Sequence, residues 1–372
     1  MIGTIEVSLE HLKANAQALA SLISPSRASF VLKSNAYGHG LEPVARALAP
    51  HSDRFCVYAI EEAFALRDAG ITLPILVMGP VETRDLAEGI RRGIAVALWD
   101  RGAYLQSLAK IARAADSPAN VHVKFNTGVA RLGLEPAHAR EAVERITSTP
   151  ELRIAGVFSH LAAAEELDSP FTHTQLARFV EILAEIERNL PERPIRHIAA
   201  SAAAMLWPET RMDMARIGIA LYGLWPSPQT RTAMNGGGFT LRPALRFTSQ
   251  LVATRDVAGG TPIGYGNAYH APKQTRIGVV PLGYADGIPR ALSNKGAFLV
   301  NGARAPVVGR VCMNMTMIDL AAAPEAHPGA TVTLIGRDGD DEITADDWAA
   351  WAETINYEIV TRLPERFPRL YR

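Results

Sequence analysis

The chain has only two cysteines among its 372 residues, Cys56 and Cys312, far apart and without metal-like spacing. We therefore expect neither a disulfide framework nor a metal site. An excess of one charge is also missing, since 38 basic and 38 acidic residues give a formal net charge of zero. This balance predicts no nucleic acid and no anionic membrane surface as a partner.

Long apolar runs are missing too, and none approaches the roughly 20 residues that span a bilayer. Residues 1–6, MIGTIE, carry an early acid and no apolar signal core, which predicts a cytoplasmic protein. With 48% hydrophobic and 20% charged residues, the composition is that of a globular protein. The length exceeds one ordinary core and suits a barrel with a second domain.

The first two-thirds of the chain alternate short apolar runs with helix-like segments. Alternation of this kind, with continuous apolar strands, predicts a parallel sheet covered on both faces. Eight runs favour a closed, TIM-like (β/α)8 barrel over an open sheet. The predicted strands are residues 29–32, 55–58, 74–78, 94–98, 121–125, 154–158, 195–199 and 212–216.

The pattern changes at residues 234–238, MNGGG, which predict a flexible joint. Short strand-like runs broken by Gly and Pro follow, and they predict a smaller, mostly antiparallel β domain with one helix at 345–354. The strand-like residues 4–7 are expected to pair with this domain. Its other predicted strands are 245–252, 276–281, 298–300 and 331–335. The predicted domains are 11–234 for the barrel, and 235–372 with 1–10 for the β domain.

Lys33 ends the first apolar run and precedes a turn rich in Asn, Gly and His. A lysine in this place is partly desolvated, as a nucleophilic amine must be. An ordinary lysine beside a βα loop is the alternative. The surrounding VLKSNAYGHG resembles the lysine segment of alanine racemases, in which the lysine carries pyridoxal phosphate.

Polar side chains also follow the later strands, at the end where barrel enzymes build their sites. These are Arg131, His160, Ser201 and Arg216. Taken singly, His160 is more readily interpreted as a satisfied core histidine, and Arg131 as a salt-bridged loop residue. Their convergence with Lys33 on one barrel face favours a common site.

This set suits pyridoxal phosphate, which needs a lysine, phosphate donors, a platform for its ring and a partner for its pyridine nitrogen. Ser201, Gly218 and Ile219 offer a hydroxyl and backbone N–H groups to phosphate. His160 is placed to stack on the ring and Arg216 to face its nitrogen. Because a guanidinium keeps its proton, Arg216 is expected to leave that nitrogen unprotonated and so to disfavour transamination.

The resemblance extends over essentially the whole chain, and the number, order and spacing of the motifs make it specific. It implies a (β/α)8 barrel with a C-terminal β domain, working as a homodimer. In the family, the barrel of one subunit and the β domain of the other share each site. The matching segments are KFNTGVARLG, HIAASAA, ARIGIALYGL, IGYGNAYHAP, GYADG, GRVCMNM and INYE.

By this resemblance, Lys33 holds the cofactor and is the base on one face of the substrate's α-carbon, while the partner subunit's Tyr265 is the base on the other. Racemisation needs such opposed groups. A free phenol has a pKa near 10, so Tyr265 needs cationic or hydrogen-bonding neighbours, and His160 and Arg216 are the implied ones. A ring packed at a glycine-flanked turn is the alternative for Tyr265.

The other roles follow the motif matches. Arg131 and the Met313 N–H resemble the groups that bind the substrate carboxylate. Tyr37 and Tyr357 resemble phosphate partners, and Tyr284 resembles a residue that lines the site from the partner side.

Three further cations match functional positions of the family. Arg290 and Arg310 match residues of the substrate entrance, where they attract a carboxylate, although solvated surface is nearly as good a reading. Lys124 matches a lysine that is carbamylated in many members. An unmodified lysine in an ion pair is the alternative for Lys124.

The chain departs from the common family pattern in places. Asn126 stands where Asp is frequent, Val129-Ala130 replace a Met and its neighbour, Ala200 stands where Asn often precedes the serine, and Asn314 where Asp is common. None of these removes a proposed catalytic group. They leave open the tuning of the site, the state of Lys124 and the substrate range.

Two other functions share parts of this pattern. Decarboxylases of basic amino acids have a similar domain plan, but they place an acid at the ring nitrogen and a catalytic Cys in the β domain; only Cys312 favours that reading. A non-catalytic, single-barrel cofactor-binding protein would need no β domain. Alanine is the expected substrate and serine a weak one. Supply of D-alanine for peptidoglycan and its degradation fit the resemblance equally well.

Overall fold

The computed structural model describes residues 3–190 and 192–372, which divide into two compact units. None of the helices in these ranges is long and apolar enough to cross a membrane. One unit contains residues 11–36 and 41–242, and the other contains residues 3–10, 37–40 and 243–372.

The first unit holds eight parallel strands, which confirms the predicted TIM-like (β/α)8 barrel. The first seven strands pair in chain order, and the first also pairs with the eighth. Between the seventh and eighth strands, a bridge joins Ala200 to Arg216, and the Asp213 amide donates to the Arg196 carbonyl at 3.2 Å. In chain order the barrel strands are Arg27–Val31, Arg54–Val57, Ile75–Val77, Ile94–Leu98, Ala119–Lys124, Leu152–Phe158, Ile195–His197 and Met214–Ile217.

Burial on both faces explains why these strands read as continuous apolar runs. Every residue of Ile94–Leu98 is buried. Phe30 and Phe55 are fully buried, and burying such a ring contributes roughly 1.5–3 kcal/mol. The predicted strands differ from the observed ones by no more than two residues at either end.

Helices alternate with the barrel strands. Leu9–Ile23 buries residues at the spacing of one helical face, Leu12, Ala16, Leu19 and Ile23. The further helices of this unit are Leu41–Leu48, Ile60–Asp68, Thr83–Arg91, Ala103–Ala114, Ala139–Thr147, Phe171–Ile186, Ser201–Leu206 and Pro228–Asn235. Single 3-10 turns lie at Ala49–His51, Pro136–His138, Glu187–Asn189, Pro208–Thr210 and Ile219–Tyr222.

The predicted flexible joint is wrong at its first two residues. Met234 and Asn235 are the last turn of the helix Pro228–Asn235. Ser227 caps this helix by accepting a hydrogen bond from the Thr230 amide at 3.1 Å, and proline stands at its first position. Both features favour a helix start.

The second unit contains a mostly antiparallel β domain, as predicted. Its largest sheet takes in Gly3–Val7, which pairs antiparallel with Leu245–Gln250 and parallel with Arg369–Tyr371. The expected pairing of residues 4–7 with this domain is therefore confirmed. The remaining strands are Ala253–Val257, Pro262–Ile263, Tyr269–His270, Thr275–Val280, Ala297–Val300, Ala303–Pro306, Thr316–Asp319, Thr331–Asp338 and Asp341–Ile343. Its helices are Ala345–Ala352 and Asn356–Thr361, with 3-10 turns at Tyr265–Asn267, Tyr284–Asp286 and Arg290–Leu292.

Candidate active site

Lys33 lies just beyond the C-terminal end of the first barrel strand and is half-buried. Burial lowers the pKa of its amine below the usual value, and the charge of Arg131 lowers it further. Glu62 acts in the opposite direction. A larger share of the amine is therefore neutral and nucleophilic at physiological pH than in an exposed lysine.

The backbone after Lys33 makes a left-handed turn. Ser34, Asn35 and Ala36 have φ of 55°, 54° and 52°, a region that costs an L-residue roughly 1–2 kcal/mol each. The Glu62 carboxylate accepts hydrogen bonds from the Ser34 amide at 2.5 Å and the Asn35 amide at 3.4 Å. In the sequence, Glu62 stands in an ordinary helix-like segment, and nothing there predicts this contact.

Arg131 is exposed, and it stands on a loop that Asn126 organises. The Asn126 side-chain oxygen accepts hydrogen bonds from the Gly128 amide at 3.2 Å and the Ala130 amide at 2.9 Å. Ala130 has a left-handed backbone, with φ 53°. An amide oxygen does here what a carboxylate oxygen would do, so the Asn in place of the family's frequent Asp preserves the loop.

Gln175 ties this loop to the one that carries His160. Its side-chain nitrogen lies 3.2 Å from the Thr127 hydroxyl and 3.0 Å from the His160 carbonyl, while its oxygen accepts from the Ala162 amide at 2.8 Å. Gln175 is fully buried on the helix Phe171–Ile186. The sequence analysis missed this residue, because its role rests on contacts between distant segments.

Lys124 ends the fifth barrel strand and is buried, with its amine 5.6 Å from the centre of the Phe158 ring. Burial lowers the pKa of this amine to about 8, with Arg131 and Arg216 contributing. The ion pair considered as the alternative is absent from the described residues, where no carboxylate lies within 4.0 Å of Lys124. About half the amine is therefore neutral near pH 8.

Arg216 is buried at the end of the eighth strand. Its guanidinium donates to the carbonyls of Ser159, His197 and Ile198 at 2.8–3.1 Å, and it lies 5.4 Å from the centre of the Phe158 ring. Within residues 3–190 and 192–372 it has no carboxylate partner. Burial lowers the pKa of Arg216 to about 10, so it remains a cation at neutral pH.

His160 lies beside this cation, with Nδ1 3.4 Å from the nearer Arg216 nitrogen. Burial lowers the pKa of the imidazole to about 3, and the charges of Arg216, Arg131, Lys124 and Lys33 contribute in that order. His160 is therefore neutral at physiological pH. Its Nδ1 faces a donor, so the ring proton belongs on Nε2.

Ser201 begins a short helix after the seventh strand, and its hydroxyl oxygen accepts from the Gly218 amide at 2.9 Å. The hydroxyl hydrogen remains to be donated. Ile219 begins the 3-10 turn that follows Gly218. The Tyr222 hydroxyl anchors that turn to the Val31 carbonyl at 2.9 Å. The ends of the first, seventh and eighth strands are thus fixed close to one another.

Three residues of the second unit that the sequence predicts to belong to the site are exposed. Tyr265 is 71% exposed, Met313 56% and Tyr284 44%. Backbone hydrogen bonds join the last two segments, since the Tyr284 amide donates to the Cys312 carbonyl at 2.9 Å.

Arg310 lies against the turn that carries Tyr265. A Cβ added at Gly266 would stand 2.7 Å from the Arg310 guanidinium, a flexible group that can move aside, and it is the positive φ of 70° that favours glycine there. Arg290 is exposed at the start of its own 3-10 turn. Burial raises the pKa of the Cys312 thiol, which leaves it a poorer thiolate than an exposed cysteine.

Tyr37 and Tyr357 also lie in the second unit. Their ring centroids are 6.3 Å apart, with an interplanar angle of 51°. The His39 ring nitrogen Nδ1 lies 2.9 Å from the Tyr37 carbonyl, and Arg369 donates to the Gly38 carbonyl at 2.8 Å. These contacts fix the backbone around Tyr37.

Family models of alanine racemase match the chain in two parts, the N-terminal domain at residues 7–226 and the C-terminal domain at 244–371. An alanine racemase of Nostoc is 37% identical over 98% of this chain and 95% of its own. The alanine racemase structure from Streptomyces lavendulae has a TM-score of 0.95 and 36% identity, covering 100% of this chain and 97% of its own. The alanine racemase structure from Bartonella henselae, which has covalently bound pyridoxal phosphate, has a TM-score of 0.86 and 26% identity, with full coverage of both chains.

Proposed function

The chain belongs to the alanine racemase family, and from this we propose that it interconverts L-alanine and D-alanine with pyridoxal phosphate held on Lys33. The family makes it an isomerase. When bound, the cofactor supplies a sink for the electrons released as the α-proton leaves. Binding, orientation and proton transfer fall to the chain's own side chains.

The state of Lys33 is the observation that carries the proposal. Its half-buried amine has a lowered pKa because of burial and of Arg131. A neutral amine is the form that attacks an aldehyde and the form that accepts a proton from carbon. One residue thereby serves both to hold the cofactor and to act as a base.

The other barrel residues fit the cofactor. Arg216 remains protonated without a carboxylate partner in the described part of the chain, so it can donate to the pyridine nitrogen without losing its proton. Neutral His160 suits a platform for the ring. The Ser201 hydroxyl and the backbone N–H of Ile219 suit its phosphate, while the Gly218 N–H is donated to Ser201 and Gly218, without a side chain, lets the phosphate come close.

We assign the second base to Tyr265, acting in the site of the partner subunit of a homodimer. Its exposure, with that of Tyr284 and Met313, supports a surface that a second copy covers. The phenol then exchanges a proton with the face of the α-carbon opposite Lys33. Tyr284 lines the same surface.

The remaining assignments concern the substrate and the phosphate. Arg131 and the Met313 N–H bind the substrate carboxylate, and Arg290 and Arg310 attract it from solvent. Tyr37 and Tyr357 bind phosphate, in keeping with their neighbouring rings. In one direction the reaction supplies D-alanine for peptidoglycan, and in the other it degrades D-alanine.

Chiral chromatography of L-alanine, L-serine, L-lysine and L-ornithine, each incubated with protein and pyridoxal phosphate, tests the proposal. We expect D-alanine to form fastest and to approach an equal mixture with L-alanine, and the Lys33→Ala protein to form none. Faster formation of another D-amino acid would overturn the substrate assignment. Amines without D-isomers, or no product from cofactor-loaded protein, would overturn the reaction.

A further inference from the structure

The turn after Lys33 needs an external support. Ser34, Asn35, Ala36 and Tyr37 are four successive L-residues with φ between 51° and 55°. Sterics disfavour this conformation at each of them. A single such residue is uncommon, and a run of four persists only when neighbouring groups hold it.

The Glu62 carboxylate supplies that support. One of its oxygens accepts from the Ser34 and Asn35 amides, at 2.5 and 3.4 Å. The other accepts from the Tyr58 and Ala59 amides, at 3.0 and 3.1 Å. Successive N–H groups that converge on an anion form a favourable nest, so one side chain fastens the lysine's turn to the loop after the second barrel strand.

Glu62 also acts on the charge of Lys33, because its negative charge raises the pKa of the amine. Among the charged groups that act on Lys33, Arg131 opposes its positive charge and Glu62 favours it. His160 also interacts with Lys33, and it is neutral at physiological pH. Removing Glu62 therefore takes away an anion that favours the protonated lysine and leaves the opposing effect of Arg131 in place.

We propose that Glu62 is the positioning residue of Lys33, which fixes the backbone that aims the amine and balances the charge around it. The inference rests on the proposed function only where it concerns the cofactor. The clasp between Glu62 and the turn is a property of the chain itself, so it can be measured separately.

Three variants separate the clasp from the charge. Glu62→Gln keeps the size of the side chain but removes the charge and replaces one acceptor oxygen by a donor. Glu62→Asp keeps the charge but shortens the reach. Glu61→Gln, on an exposed neighbour in the same helix, is the matched control.

Amide hydrogen exchange of the segment 33–40 reports the clasp without reference to the cofactor. We expect exchange at Ser34 and Asn35 to be about tenfold faster in Glu62→Gln and in Glu62→Asp, and unchanged in Glu61→Gln. Unchanged exchange in both Glu62 variants would overturn the clasp. Should Glu62→Gln fail to fold, Glu62→Asp carries this comparison.

The pH midpoint of the bound cofactor's visible absorbance reports the lysine. In Glu62→Gln we expect this midpoint to fall, because a negative charge that favours the protonated form is gone, and kcat to drop about tenfold with a smaller change in KM. Glu62→Asp is expected to restore the midpoint but not kcat. Faster exchange with an unchanged midpoint and kcat would reduce Glu62 to a structural residue and overturn the proposal. A wild type without cofactor absorbance would instead overturn the proposed function, and the exchange data would still test the clasp.

Discussion

Nη1 of Arg216 lies 2.7 Å from Nδ1 of His197 in a buried hydrogen bond. A guanidinium has no acceptor, so Nδ1 accepts and the proton of His197 resides on Nε2. That Nε2 lies 2.8 Å from Nδ1 of His122. Burial lowers the pKa of both histidines well below the usual value. Arg216 thus fixes the tautomer of His197, and through His197 that of His122, and both rings are neutral.

Replacing His197 by leucine is expected to weaken both the fold and cofactor binding. The change removes one of the acceptors around a buried cation, at a cost of about 1–3 kcal/mol. The guanidinium keeps its three carbonyl acceptors but loses the side-chain contact that directs one of its N–H groups. Denaturant unfolding and titration with pyridoxal phosphate measure the two effects. His173→Leu, at an exposed histidine, is the control, and equal behaviour of the two variants would contradict the prediction.

The stability of the protein should fall in mild acid partly because of His160. The folded-state pKa is about 3, below the ordinary value of 6.5, so the unfolded chain binds the proton first as the pH falls. The contribution of His160 is therefore complete above about pH 6.5 and is lost progressively between 6.5 and 3. From pH 7 to pH 5, the unfolding free energy of the wild type should fall by more than that of His160→Leu, so that the difference between the two proteins changes with pH. A constant difference would disprove this.

Gln175→Leu is expected to raise KM for alanine more than it lowers kcat. The variant leaves the Ala162 amide without its acceptor and cuts the link between the loops of Thr127 and His160. A displaced Arg131 loop would cost about tenfold in KM, equivalent to about 1.4 kcal/mol. Gln106→Leu, at an exposed glutamine, serves as control. Steady-state kinetics with an unaltered KM would count against the bridging role.

Lys124 should react with carbon dioxide. A pKa of about 8 makes much of the amine neutral at pH 8, and a neutral amine is the form that becomes a carbamate. We expect carbon NMR with isotope-labelled bicarbonate to show a carbamate signal that disappears in Lys124→Gln and persists in Lys110→Gln. The same signal in all three proteins would place the carbamate elsewhere.

Tyr265→Phe should retain the cofactor and lose most racemisation. Removing the hydroxyl takes away proton transfer on one face, which is worth about 10²–10⁴-fold, and leaves the barrel residues that hold the cofactor unchanged. Turnover measured from L-alanine and from D-alanine tests this, with visible absorbance as the control for cofactor content. Unchanged turnover in both directions would refute the two-base assignment.

The barrel was predictable because its strands are buried on both faces. Ile94–Leu98 was predicted without error, since every residue in it is apolar. The first strand begins two residues before its prediction, because pairing with the eighth strand extends to the polar, exposed Arg27. Ala253–Val257 was missed in the β domain, since its residues are mostly exposed and only pairing with Thr275–Val280 makes it a strand.

The residues of the site likewise divide into those that the sequence predicts and those that it does not. Lys33, His160 and Arg216 stand at the C-terminal ends of strands, where the topology of a barrel predicts the residues of an active site. Glu62 and Gln175 act through backbone amides and carbonyls supplied by other segments. A sequence shows the side chains that carry chemistry, but not which folded backbone groups a supporting side chain will meet.

The place of Gly3–Val7 in the sheet of the β domain has a consequence for biogenesis. On the ribosome this segment emerges before the barrel, while its neighbours Leu245–Gln250 and Arg369–Tyr371 are translated only after the barrel. It lacks both of these neighbours until the barrel has been translated, which leaves an unsatisfied strand open to nascent-chain misassembly or chaperone capture. The strands of the barrel have all been translated by then, whereas the sheet of the β domain can be completed only after Arg369–Tyr371 has left the ribosome.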